Sequence, residues 1–165
     1  MSRAFVKEDA RSEAELVPPR APLPDGVPNL VTPRGWRLLH EERDALHAER
    51  ARRDAAGGSV DALEERLEAL LARIASAQVT PAGDRDGVVR FGATVEVDVL
   101  GGPKPTTQRL SIVGVDEADP MAGRIAFVSP IGGALLGARV GDELALDAAN
   151  GRRRWRVRAI VEAPD

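Results

Sequence analysis

The sequence predicts an α+β protein: an N-terminal antiparallel helical hairpin, a short coiled coil, followed by a small antiparallel β domain with one short helix. Three observations carry this reading. Between residues 34 and 79 apolar residues recur in alternating steps of three and four; after residue 87 the period becomes two; and the stretch 17–33 holds six prolines. The chain therefore divides into an extended charged and Pro-rich arm (1–33), a helical hairpin (34–79) and a β domain (80–165).

In the arm, "VPPRAPLPDGVPNLVTP" excludes a helix or a central strand, because each proline removes a donor and fixes φ. The preceding "MSRAFVKEDARSEAEL" is short and charged, with Phe5 and Val6 as its residues able to dock. Thr32 followed by Pro33 predicts a helix start, hydroxyl at the N-cap and proline in the first turn. The second helix is the clearer one. Val60, Leu63, Leu67, Leu70, Ile74 and Ala77 form a heptad seam, which needs a partner. The first helix offers Trp36, Leu39 and Leu46 before it turns polar in "HAERARRDAA". Gly57 and Gly58 supply the left-handed C-cap and the reversal. Arms of about 20 residues make a hairpin about 30 Å long.

"TPAGDRDG" (80–87) reads as a loop. "VVRFGATVEVDVL", "QRLSIVGVD", "GRIAFVS", "DELALDA" and "RRWRVRAIVEA" read as strands. In the last, Trp155, Val157, Ala159 and Val161 share one face and Arg154, Arg156 and Arg158 the other, a row read as a solvated sheet face. "SPIGGALLG" fits a short helix, with Ser129 at the N-cap, Pro130 at N1 and Gly137 as terminator.

Composition excludes several classes of function. With no cysteine among 165 residues there are no disulfides, no Cys-ligated zinc and no thiol catalysis. The two histidines, His40 and His47, lie about 10 Å apart along a helix, too far for one metal ion, and read as solvated. A net charge of −3 gives no basic footprint for nucleic acid, so a protein partner is expected. No apolar run long enough for a membrane span or signal segment is present, which points to a cytoplasmic address.

"VVRFGATVEVDV", "SIVGVDEADP" and above all "VSPIGGALLGARVGDELAL" resemble the C-terminal domain of the Gre family of bacterial transcript-cleavage and elongation factors. "MSRAFVKED", "PNLVTPRGWRLL" and "ARIASAQV" are similar to that family's N-terminal region. The resemblance implies a coiled-coil hairpin joined to an FKBP-like domain. It also implies docking at the secondary channel of bacterial RNA polymerase, through the segment that Ser129, Pro130 and Ile131 match. In cleaving members, carboxylates at the hairpin tip help hold a second Mg²⁺, which activates the water that cuts backtracked RNA.

Here the tip departs from the family. Cleaving members carry a motif of the kind Gly-Asp-Leu-x-Glu-Asn-Ala-x-Tyr, whereas this chain has no tyrosine, and its asparagines are Asn29 and Asn150. The hairpin is also shorter by several turns than theirs. Asp54 and Asp61 therefore read as helix-end or solvated carboxylates rather than metal ligands, and Arg50, Arg52 and Arg53 as partners of Glu64, Glu65 and Glu68 on the returning arm. The expectation is a monomeric, non-enzymatic polymerase-binding elongation regulator without cofactor or metal, touching nucleic acid only through the polymerase. The alternative is a cleavage-stimulating Gre-type factor using Asp54, Asp61 or Glu64. Peptidyl-prolyl isomerisation is disfavoured, since only Phe91, Phe127 and Trp155 are available to line an aromatic pocket.

Overall fold

The structure, a computed structural model, describes residues 18–82, 86–104, 106–148 and 151–161. The expectation for Phe5 and Val6 lies outside them. The hairpin consists of α1 (Pro33–Ala55) and α2 (Asp61–Ser76). Thr32 caps α1 as expected: its hydroxyl accepts from the Gly35 amide at 2.9 Å, and Pro33 follows at the first position. At the other end Gly57 adopts φ +70°, a conformation costly for any residue with a Cβ. The Gly57 and Gly58 amides donate to the carbonyls of Asp54 and Arg53, each at 2.9 Å, which closes a Schellman motif.

Leu63, Leu67 and Leu70 of α2 and Leu39 and Leu46 of α1 are buried together, with Trp36 and Ile74 packed on them. The seam thus has the partner it requires. The first helix ends its apolar contribution at Leu46, and beyond it the arms are joined by charge. Arg50 reaches Glu64 across the hairpin at 2.5 Å, but Arg52 and Arg53 pair with Glu49 on their own helix. Only one of the three arginines therefore crosses, because i,i+3 and i,i+4 neighbours on one helix are nearer than the facing arm. His40 also departs from expectation. Its ring meets Trp36 edge-on with centroids 4.3 Å apart, and its Nε2 is buried with no hydrogen-bond partner among the described residues.

The seam's last member leaves the helix. Ala77–Val79 form a strand, β2, which pairs in parallel with β1 (Asn29–Val31). The Asn29 amide side chain also donates to the Arg73 carbonyl (2.8 Å) and Ser76 Oγ (3.0 Å). The end of the arm is thereby sewn to the exit of the hairpin.

The β domain holds β3 (Thr94–Leu100), β4 (Thr106–Val113), β5 (Arg124–Ala126), β6 (Glu143–Ala148) and β7 (Gly151–Val161), in the order β5-β4-β3-β7-β6. Three pairings are antiparallel, but β5 runs parallel to β4, so the sheet is mixed rather than wholly antiparallel. Between these two strands the chain makes single-turn helices at Val115–Glu117 and Pro120–Ala122, which spend the length needed to return in the same direction. The sheet packs around α3 (Pro130–Leu135), with Val95, Val97, Ile112, Leu135 and Val157 essentially inaccessible.

The face alternation in β7 holds only in part. Trp155 and Val157 are buried, but the register against β3 shifts between Glu96 and Val97, leaving Arg158 as the extra residue. Past this bulge Ile160, opposite Val95, packs on the core in place of Ala159. The arginine row is solvated as expected. Arg156 reaches Glu143 at 2.5 Å and Arg158 donates to Thr107 Oγ1 at 3.1 Å. The hydrogen bond from Arg156 holds the Glu143 carboxyl below the usual carboxylate range.

Candidate partner-binding surface

The segment Val128–Gly137 is built from local signals. Ser129 has extended backbone (φ −71°, ψ 157°), its hydroxyl accepts from the Gly132 amide at 3.0 Å, and Pro130 opens α3. Below it, Leu135 is fully buried, and the Gly137 amide donates to the Val89 carbonyl at 2.8 Å. Phe127, just ahead, packs edge-on against Phe91 with centroids 5.5 Å apart. The helix is therefore a fixed feature of the domain surface rather than a loose turn.

The three expected residues differ in what they present. Pro130 is exposed, Ser129 is half-buried with its hydroxyl engaged in the cap, and Ile131 is half-buried and packed on the domain core. Two further residues contribute to the outer face. Val128 is 36% exposed, and Gly133 faces open space, with nothing within 4 Å of where a Cβ would lie. Gly132 is its opposite: a Cβ there would sit 2.2 Å from the Ala126 carbonyl oxygen. One glycine lets α3 lie on β5, and the other leaves a flat outer surface.

At the hairpin tip Asp54 and Asp61 are both exposed. Asp61 is the first residue of α2, where its charge complements the helix dipole, and it accepts from Ser59 Oγ at 3.3 Å. The N-cap itself is Val60, which makes no side-chain capping bond. Glu64, the third acidic candidate, is engaged by Arg50, whose guanidinium that contact holds above the ordinary arginine range. Among the described residues no three His, Asp or Glu side chains are grouped so as to hold a metal ion. None of the described helices is long and apolar enough to cross a membrane.

Residues 84–162, the β domain with α3, match the family model described as transcription elongation factor GreA/GreB, C-terminal. Over 115 residues the chain is 42% identical to the transcription elongation factor GreA of Ralstonia nicotianae, spanning 68% of this chain and 72% of that protein. To the GreA of Rhodospirillum rubrum it is 35% identical over 153 residues, covering 92% and 91% of the two chains. Among solved structures it is similar to GreA factor homolog 1 of Thermus thermophilus, with 25% identity and a TM-score of 0.40 over 81% of this chain and 98% of that one. At 35% identity over 92% of its own length and 91% of the Rhodospirillum rubrum relative, the chain belongs to the GreA/GreB family of transcription elongation factors.

Proposed function

We propose that this factor docks on RNA polymerase in the cytoplasm, as a monomer, through the outer face of α3, places its hairpin in the secondary channel, and regulates elongation there without supplying cleavage ligands. The observation that carries this reading is the tip. Its two aspartates stand at helix ends in solvent, in a turn, "RRDAAGGSVDALEE", that holds neither the asparagine nor the tyrosine of the cleaving motif. Length supports it too. The 23 residues of α1 and 16 of α2 extend about 35 and 25 Å at 1.5 Å per residue. A tip that stops in the outer channel fills space without reaching the catalytic Mg²⁺. The protein then carries no enzymatic activity of its own, and needs no cofactor.

The docking assignment is tested by retention on immobilised polymerase. Gly133→Glu places a charged side chain on the open face of α3, at a position where a Cβ has nothing within 4 Å, and Pro130→Ala trims the exposed ring. Both are expected to weaken retention, Gly133→Glu by tenfold or more, about 1.4 kcal/mol. Equal retention of the wild type and both variants sinks the site. Ile131→Asp is the poorer probe, because Ile131 also supports the core.

A further inference from the structure

We propose that the proline-rich arm is a clasp that sets the direction of the hairpin on the β domain, and that Arg20 is the residue that closes it. Among the described residues the hairpin and the β domain each have their own apolar cluster, and the two share no buried residue. Among the described residues no common apolar core therefore spans the two. They meet instead at the turn Gly114–Glu117, where Arg34 of α1 reaches the buried Glu117 carboxylate at 2.9 Å, the Thr32 hydroxyl donates to the same group, and a Cβ on Gly114 would lie 2.5 Å from the Leu30 carbonyl oxygen of β1.

Asp116 on this turn is shared by arginines from two different segments. Arg73 of α2 reaches it at 3.1 Å, with both side chains 9% exposed. Arg20 of the arm reaches its other oxygen at 2.5 Å, and with a second nitrogen takes Glu42 of α1 at 2.6 Å. Arg20 thus adds, more than one turn beyond the Arg34–Glu117 pair at the helix start, a second guanidinium link between the first helix and the β domain, a task that suits a planar fork with several donors and not the single ammonium of lysine. Arg73 donates in addition to the Ala21 carbonyl, which ties the arm's backbone to α2. Burial by itself would lower the Arg20 guanidinium, but the hydrogen bonds to Glu42 and Asp116 offset this and hold it above the ordinary arginine range.

The arm suits this role. It is anchored at Arg20 and again at Asn29, and Pro22, Pro24 and Pro28 between the anchors stiffen the span, so ordering it costs less entropy than a flexible linker would. Direction matters because of leverage. A tilt of about 20° at the base displaces a tip about 30 Å away by about 10 Å. The consequence for channel entry rests on the docking reading above, whereas the clasp itself is an intramolecular property.

The test is a spin-label distance measurement on the free full-length protein. Gly58→Cys and Met121→Cys give one label at the tip and one on the β domain, in a chain with no cysteine of its own; Met121 is 97% exposed. The otherwise wild-type protein is expected to show one narrow distance. Arg20→Ala should shift or widen the distribution by about 10 Å, and Arg20→Lys should fall between the two. A wild-type distribution in Arg20→Ala, with its helical content intact, overturns the clasp. Should Arg20→Ala lose helical content, Glu42→Gln decides: widening supports the clasp, and an unchanged distribution overturns it. Polymerase is absent throughout, so this outcome is independent of whether the docking reading holds.

Discussion

Alanine at Gly132 is expected to destabilise the β domain, while alanine at the adjacent Gly133 is expected to stabilise it slightly. The two positions share a helix and a residue type, so any difference comes from what surrounds them. At Gly132 the new methyl would lie 2.2 Å from the Ala126 carbonyl oxygen and 3.0 Å from the Phe127 Cα, both backbone atoms that cannot rotate away. Relief requires α3 to lift from β5, which loosens the packing of Leu135, fully buried beneath it. Overpacking of this kind costs about 1–3 kcal/mol, and here it works against a helix-propensity gain of under about 1 kcal/mol. At Gly133 only the propensity gain remains. Thermal unfolding of the two variants should therefore move in opposite directions from the wild type; equal behaviour would show that α3 does not rest on β5 as described.

Leu70→Ala is expected to cost about 2–5 kcal/mol, and to cost it in the hairpin alone. Leu70 is fully buried in the seam among Leu39, Leu63 and Leu67, on helices too polar elsewhere to persist without one another. Among the described residues the β-domain cluster shares none with this one. Helical ellipticity should therefore be lost at a lower temperature than the environment of Trp155, which is buried in the sheet, whereas a single coincident transition would mean that the two units unfold as one.

What was legible in the sequence was local. The hairpin follows from a period of three and four, its ends from Thr32-Pro33 and Gly57-Gly58, and α3 from a serine, a proline and a glycine within nine residues. Each signal acts over one or two turns of chain, so neighbours in sequence suffice to read it. The misreadings concern distant partners. Arg20 and Asp116 are 96 residues apart, and nothing in a proline-rich arm reveals which carboxylate its arginine will meet. The parallel pairing of β5 depends on how far two single turns carry the chain, and the face of Ile160 depends on a one-residue bulge at Arg158. The half-buried contact of Ile131 with the core was not legible, because a six-residue helix shows too little periodicity to divide its faces.

The most direct measurement is the rate of transcript shortening in stalled polymerase complexes with Mg²⁺, with this factor added alone and then in excess over a cleaving Gre factor. Alone, it should leave the rate at the level of polymerase by itself, and Asp54→Ala and Asp61→Ala should change nothing. In excess it should slow cleavage by the other factor through exclusion from a shared docking site, and Gly133→Glu should relieve that slowing. Acceleration by the wild type alone, abolished by Asp61→Ala or Asp54→Ala, would contradict the non-catalytic reading and make the exposed tip carboxylates metal ligands after all.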